Sequence, residues 1–272
     1  MTLNGTNKRL HGRTVVITGT GGGRSGGTGR AAALLFARHG ANVVGCDINP
    51  VSGERTVELV REAGGEIRSL HPLDLTEAGA IERVIAYAVE TYGGLDVLYN
   101  NAAMFKRCTI GTVTREDWNF SVDNELTLFV MAAKAAVPVL AGRPGANIIN
   151  VGSEGGMHGH GPGLLAHNTL KAAVIRFSEL LAMECAQHGI RVNTLSPGPL
   201  RNPEFNDPKR DAYYAQSLLI GRMVDPMEVA QAALFLASDE ASAITGTNLV
   251  VDGGATASGK RGAQEFAFGS AY

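Results

Sequence analysis

The chain has few of the residues that mark several common protein classes. Only three of its 272 residues are cysteines, Cys46, Cys108 and Cys185. This odd number and their wide spacing argue against a disulfide framework or a zinc cluster and favour a reducing compartment, the cytoplasm. The net charge is −2, and without runs of lysine and arginine nothing favours nucleic acid or an anionic membrane as partner. We expect neither a signal peptide nor a membrane span, because the N-terminus is polar and apolar runs are short.

Short apolar runs rich in β-branched residues alternate with helical patterns along most of the chain. The first run, residues 14–18, precedes a helical pattern at 31–39 and a second apolar run at 41–47. Runs that are apolar throughout, without polar alternation, are typical of parallel strands covered on both faces. Because composition does not divide the chain, we predict one α/β domain over residues 1–272, with a doubly wound parallel sheet of about seven strands.

Three segments are expected to lie outside this core. Residues 1–12 form an N-terminal arm, and residues 258–272 form a C-terminal tail that could cover a neighbouring subunit's site. Residues 199–224 are too long for an ordinary loop, so we interpret them as a lid over the substrate. Apolar and aromatic side chains in this lid and opposite it predict an apolar or cyclic substrate. They are Phe205, Tyr213, Tyr214, Leu218 and Met223, with Met104 and Phe105 opposite.

A glycine-rich loop joins the first strand to the first helix. Its glycines permit a tight turn and a close backbone approach, while the helix N-terminus attracts a phosphate. At the end of the second strand, Asp47 can accept hydrogen bonds from the adenosine ribose and would repel a 2′-phosphate. A strand, a glycine loop, a helix and an acidic residue in this order predict a site for NAD rather than NADP.

Further short motifs make a family resemblance specific. Asp74-Leu75 follows the third strand and Asn100-Asn101-Ala102-Ala103 follows the fourth; Pro197-Gly198 follows a later strand. Together with the glycine loop, which has about four extra residues, these motifs resemble the classical short-chain dehydrogenase/reductase family over residues 13–256. The resemblance implies a Rossmann fold, a homotetramer and a set of cofactor-binding residues. These are Gly19, Gly23, Gly27, Gly29, Asp47, Asp74, Leu75, Asn101, Ala102, Lys171, Pro197, Gly198 and Asn202.

The segment 163–174 carries the residues for proton transfer. It has helical spacing, so His167 and Lys171, four residues apart, project from one face. The resemblance implies that Ser153 holds the substrate oxygen, that Lys171 binds the nicotinamide ribose and that Asn124 relays protons to water. His167 stands where the family has tyrosine. An imidazole, with an unperturbed pKa of about 6.5, can accept a proton from an alcohol, directly or through a water.

Three functions remain open on these residues. The first is an NAD-dependent oxidoreductase that transfers a hydride between the nicotinamide and a secondary alcohol or ketone. The second is an NAD-binding regulator or scaffold whose redox activity has lapsed, and the third is a redox-neutral isomerase or lyase. Retention of Ser153 and Lys171 favours the first. We expect no metal, because the glycine- and proline-rich stretch around His158 and His160 lacks a rigid ligand geometry.

Overall fold

A computed structural model of the chain describes residues 8–22, 27–159, 162–202 and 207–258. Within these ranges seven strands form one parallel sheet. They are β1 (Thr14–Thr18), β2 (Asn42–Cys46), β3 (Glu66–Leu70), β4 (Val97–Asn100), β5 (Asn147–Val151), β6 (Arg191–Pro197) and β7 (Asn248–Val251). Their order, β3-β2-β1-β4-β5-β6-β7, reverses direction between β1 and β4. This confirms the predicted doubly wound sheet, in which ligands bind where the strand order reverses.

Helices cover both faces of the sheet. They are α1 (Thr28–Arg38), α2 (Pro50–Glu62), α3 (Ala80–Tyr92), α4 (Arg115–Val122), α5 (Leu128–Leu140), α6 (Leu165–Cys185), α7 (Pro208–Ala215), α8 (Pro226–Ala237) and α9 (Ala255–Ser258). Because successive strand residues point to opposite faces, Val15 and Ile17 pack with α1 and α8. Val16 packs on the other face with α3, α5 and α6. Both faces of the central strands are therefore buried.

Two regions differ in detail from the sequence patterns. Apolar spacing over residues 117–140 predicts one long helix, but a π-helical turn at Asp123–Thr127 separates α4 from α5. The predicted lid contains a helix of its own, α7, and its two ends meet in a parallel bridge between Leu200 and Val224. Pro197 belongs to β6 rather than to the segment that follows. Because proline lacks an amide proton, it cannot donate a ladder hydrogen bond, and a position at the end of a strand tolerates this.

The predicted arm and tail are described in part. Leu10 is fully buried and its amide donates to the His39 carbonyl, so residues 8–12 pack against the end of α1. Residues 1–7 of the arm, 203–206 of the lid and 259–272 of the tail lie outside the described ranges. None of the helices in the part of the chain that the structure describes is both long and apolar enough to cross a membrane.

Candidate active site

The glycine loop packs so closely that two of its predicted residues must be glycine. Gly19 has a φ of 69°, and a Cβ there would lie 2.9 Å from the Ala102 Cα. A Cβ on Gly29 would collide with the Gly19 carbonyl oxygen. Gly27, the N-cap of α1, has a φ of 75°, in the left-handed region that glycine adopts without steric cost. Gly23 lies outside the described residues.

Asp47 lies at the end of β2, against the first part of this loop. Its Oδ2 accepts a hydrogen bond from the Gly21 amide (2.6 Å), and its Oδ1 accepts one from the Asn49 amide (2.8 Å). A carboxylate has about four lone-pair positions, so these two bonds leave capacity for ribose hydroxyls. Ser52 holds the next residue, because its Oγ accepts from the Gly22 amide at 2.8 Å.

Asn101 and Ala102 fix the shape of the loop. The Asn101 side-chain amide donates to the carbonyls of Thr18 and Gly19, both at 3.0 Å, and its oxygen accepts from Thr28 Oγ1 at 2.8 Å. The backbone amides of Asn101 and Ala102 donate to Thr18 Oγ1. The polar atoms of the Asn101 side chain thus bind the protein itself. Its contribution to a cofactor site is to hold the glycine loop in place.

Asp74 and Leu75, the cofactor-binding pair predicted after β3, lie close to Asp47. The Leu73 amide donates to the Asp47 carbonyl at 2.8 Å, so this segment runs alongside the end of β2. Asp74 is half-buried, and its Oδ1 accepts from the amide and the hydroxyl of Thr76. Leu75 is 9% exposed. Asp74 therefore orders the turn, and Leu75 packs into the core beside it.

The residues predicted after β6 lie against the last strand. The Gly198 amide donates to the Val251 carbonyl at 3.0 Å, and a Cβ on Gly198 would lie 2.6 Å from the Asp252 Cα. Asn202 is buried. The chain leaves Pro197 at the carboxyl end of the sheet, the edge at which ligands bind in such folds.

These features fit a nicotinamide dinucleotide. The N-cap of α1 is a glycine without a side-chain oxygen, and the first turn of α1 carries no acidic residue. The positive end of the helix therefore faces the loop without a competing carboxylate of its own. The carboxylate of Asp47 supplies the acceptors that ribose hydroxyls require.

Lys171 occupies a buried position below the carboxyl end of β5. Its Nζ donates to the Val151 carbonyl at 3.0 Å, lies 3.9 Å from Glu125 Oε1 and sits 4.7 Å from the centre of the Phe129 ring. Burial lowers the pKa of Lys171, and the negative charge of Glu125 opposes that shift. The ammonium is thus held between a carbonyl, a carboxylate and a ring face.

His167 shares the same carboxylate. Its Nδ1 lies 2.7 Å from Glu125 Oε1, and its ring packs on Phe105 with centroids 4.4 Å apart at 30°. The His167 side chain is 18% exposed, whereas that of Glu125 is 1% exposed. The second oxygen, Glu125 Oε2, is buried and has no hydrogen-bond partner among the described residues. His167 and Lys171 therefore meet as predicted, around a glutamate that the motifs did not indicate.

The π-helical turn brings Glu125 to this position. A π turn adds a residue to the helical repeat and often marks a functional site. Asn124 lies in the turn, and its side-chain amide donates to the Phe120 carbonyl at 2.9 Å. Glu125 is 42 residues from His167 in sequence, and no spacing rule connects them.

Ser153 lies two residues beyond the strand end that Lys171 contacts. Its Oγ accepts from the Gly155 amide at 3.1 Å. The turn Glu154–Gly156 packs on α6 so closely that a Cβ on Gly156 would lie 2.7 Å from the Ala172 amide nitrogen. Within the described ranges Ser153 and His167 are not hydrogen-bonded to each other. They lie on adjoining elements at one end of the sheet.

Comparison with known proteins identifies the class. A family model described as enoyl-(acyl carrier protein) reductase matches residues 22–256. The chain is 38% identical over 248 residues to 2,5-dichloro-2,5-cyclohexadiene-1,4-diol dehydrogenase LinX of Sphingobium indicum, covering 90% of this chain and 97% of that one. It is 36% identical over 250 residues to 3-oxoacyl-(acyl-carrier-protein) reductase FabG of Thermotoga maritima, covering 90% and 98%. These relatives are oxidoreductases.

The fold comparison gives the same class. A crystal structure of a short-chain dehydrogenase/reductase from Burkholderia xenovorans matches with a TM-score of 0.85 and 35% identity, covering 92% of this chain and 98% of that one. The chain belongs to the short-chain dehydrogenase/reductase family, whose members use nicotinamide cofactors.

Proposed function

We propose that this protein is an NAD-dependent dehydrogenase or reductase that interconverts a secondary alcohol and a ketone, with His167 as the group that transfers the proton. The observation that carries the proposal is the buried contact of Lys171 and His167 with one carboxylate at the carboxyl end of the sheet. The glycine loop ends at the same edge. A charged cluster in a buried position beside a dinucleotide cradle is typical of a catalytic site.

NAD is the proposed cofactor because of Asp47. Its carboxylate stands at the end of β2, where a 2′-phosphate would place a second negative charge beside it. When bound, the oxidised nicotinamide supplies the acceptor for the hydride and its electron pair. Gly19, Gly27 and Gly29 would hold the pyrophosphate, and Lys171 would hold the ribose of the nicotinamide.

The chain's own residues move the proton. Ser153 binds the substrate oxygen, and His167 accepts the hydroxyl proton during oxidation and returns it during reduction. Asn124, in the π turn beside Glu125, is the proposed relay to water. The same residues serve both directions, as microscopic reversibility requires.

The lid supports an apolar or cyclic substrate. Tyr214 of α7 is partly buried; burial raises the pKa of Tyr214, and the charges of Arg210, Arg107 and Glu154 also act on it. Glu154, one of these charges, directly follows Ser153 in sequence. Phe105 packs on His167, while Leu218 and Met223 are buried within the lid. The relative LinX is named for a cyclic diol, which agrees with this class.

The test is NADH formation by the wild type across a panel of cyclic secondary alcohols and diols, beside His167→Tyr and His167→Phe. We expect turnover by the wild type and a loss of about 10²–10⁴-fold in kcat for His167→Phe, since the proton acceptor is gone. His188→Ala is the matched control, because His188 is exposed at the opposite end of α6. Turnover by His167→Tyr alone would instead favour the lapsed-redox protein. Product without net NADH would favour the isomerase or lyase.

We also propose a homotetramer in a reducing cytoplasm. Met131 on α5 and Leu180 and Met183 on α6 are exposed at 39%, 51% and 75%, an apolar surface that copies of this chain would cover. Cys46, Cys108 and Cys185 are buried free thiols. Sedimentation velocity tests the tetramer, and Leu180→Asp with Met183→Asp is expected to dissociate it.

A further inference from the structure

We infer that Glu125 is a positioning residue for His167, which fixes the proton on Nδ1 and so leaves Nε2 to act on the substrate. The inference rests on the proposed function for its catalytic consequence, but the geometry it describes belongs to the protein without ligands. Glu125 and His167 are 42 positions apart in the sequence, so no sequence motif links them; the π turn and α6 bring the two residues together.

The hydrogen bond determines which nitrogen carries the proton. An ionised carboxylate can only accept, so the 2.7 Å contact requires a hydrogen on His167 Nδ1. In the neutral ring the remaining nitrogen, Nε2, then carries a lone pair. Among the described residues no hydrogen-bond partner is recorded for Nε2, and the side chain keeps 18% exposure. The lone pair is therefore available to an alcohol proton, directly or through a water.

Glu125 balances the charge of the buried Lys171 ammonium, but apolar packing gives no reason for a carboxylate at this position. Its side chain is 1% exposed, and Oε2 has no partner among the described residues. Leaving a buried carboxylate oxygen unpaired costs free energy, which an apolar side chain at this position would avoid. Its neighbours Leu128 and Phe129 are apolar and fully packed. Lys171 lies 3.9 Å from the carboxylate and donates its hydrogen bond to Val151, whereas His167 lies within hydrogen-bond distance at 2.7 Å, so the contact that orients a side chain is the one with His167.

The charge of Glu125 also offsets the state that follows proton transfer. When the substrate O–H bond breaks and an N–H bond forms on Nε2, His167 becomes a cation on the helix that carries the Lys171 ammonium. Glu125 Oε1 lies between them, 2.7 Å from one and 3.9 Å from the other. One negative charge thus faces both cations. A carboxylate that orients and stabilises a catalytic imidazolium is the arrangement of the serine-protease triad.

The first experiment determines the tautomer of the His167 ring directly. In ¹⁵N-histidine-labelled wild type without ligands, long-range ¹H–¹⁵N correlations assign the neutral tautomer of His167, whose signals are identified by their loss in His167→Tyr. We expect the Nδ1–H tautomer, and in Glu125→Gln a shift towards the Nε2–H form. An Nε2–H tautomer in the wild type, or an unchanged spectrum in Glu125→Gln, would overturn the inference. The wild-type spectrum alone tests the predicted Nδ1–H tautomer, even if Glu125→Gln folds poorly.

The second experiment links the pair to turnover. Glu125→Gln is expected to lower kcat by about 10²–10⁴-fold, with the NADH dissociation constant changed less than about threefold. Glu125→Asp should recover part of the loss, and Glu116→Gln, an exposed glutamate on α4, should cause none. In a His167→Tyr background the effect of Glu125→Gln should nearly vanish, because coupled residues are not additive. Equal losses in both backgrounds would contradict the inference.

The two proposals fail in different ways. If the ring has the expected tautomer and Glu125→Gln alters it, but no alcohol is oxidised by the wild type, the proposed function fails while Glu125 still positions His167. If the wild type turns over and Glu125→Gln matches it in kcat and in tautomer, the inference fails alone.

Discussion

The proposed cofactor half of the site and its proposed proton-transfer half are held by different kinds of contact. In the cofactor half, defined by residues 18–22, 27–30, Asp47 and Asn101, polar side chains bind backbone groups of the loop. In the proton-transfer half, defined by Glu125, His167 and Lys171, titratable side chains contact one another in the interior. The first arrangement holds a backbone shape. The second keeps charges close together at a cost in desolvation, as reactive groups require.

Lys171→Met should give the largest effect and would break the charged half. It leaves the Glu125 carboxylate buried without its cation, which costs about 3–5 kcal/mol of unfolding free energy. We expect turnover to be lost as well. Urea unfolding at pH 7 measures the first effect. The double variant with Glu125→Leu should regain most of the stability but not the activity. An equally unstable double variant would show that Lys171 matters for packing alone.

Gly29→Ala would break the cofactor half. The added Cβ collides with the Gly19 carbonyl and lies 2.7 Å from Asn101 Nδ2, so the loop must move. Forced overpacking costs about 1–3 kcal/mol. NADH affinity, measured by fluorescence titration, should fall by at least about tenfold, since the loop no longer holds the pyrophosphate. Gly111→Ala is the control, because its Cβ would meet only Thr109 Oγ1 at 3.9 Å. Unchanged NADH binding would contradict the assignment of the loop.

Asp47→Ser would sharpen the comparison within the cofactor half. Loss of the carboxylate removes charged hydrogen bonds worth about 1.5–3 kcal/mol and the repulsion of a 2′-phosphate. The ratio of NADPH to NADH dissociation constants should therefore fall by about 10–100-fold. Asp239→Ser, which removes an exposed carboxylate paired with Arg13, is the matched control. A wild type that already prefers NADPH would refute the NAD proposal.

Cys46→Ser tests a neutral group buried beside Asp47 and should have the smallest effect. Burial raises the pKa of the Cys46 thiol from 9.0 to about 12. The folded protein then keeps a proton that the unfolded chain loses, so this stability is present below pH 9 and is lost as pH rises towards 12. The slope reaches about 1.4 kcal/mol per pH unit. Unfolding at pH 8 and pH 10 should show a smaller alkaline loss in Cys46→Ser. An identical loss in both proteins would contradict this.

The contrast between the halves also explains how far sequence reasoning reached. The positions of Gly19 and Gly29 in the loop and of Asp47 at the end of β2 were predictable, because a strand, a turn and a helix impose short, fixed spacings on them. The parallel sheet of about seven strands was predictable from continuous apolar runs such as residues 14–18. His167 and Lys171 were predictable as a pair by helical spacing, and the structure brings both to one carboxylate.

What the sequence did not reveal depends on contacts between distant segments. Glu125 lies in a π turn and contacts His167, which is 42 positions away in the sequence, and no spacing rule connects the two. The motif gave no indication that the Asn101 side chain donates to the Thr18 and Gly19 carbonyls of the loop. A motif gives the position of a residue along the chain, whereas the partner of its side chain is settled by the packing of the whole domain.

The small apolar cluster beside His167 gives the protein an optical reporter. Trp118, the sole tryptophan of the chain, packs against Cys108, Ala166 and Leu170. Ala166 adjoins His167 in sequence, and Cys108 is joined to the start of α6 by backbone hydrogen bonds. Emission from this single indole therefore comes from one known place, next to the site. Energy transfer from it to bound NADH would record occupancy of the site in the unlabelled protein, without turnover and without a substrate.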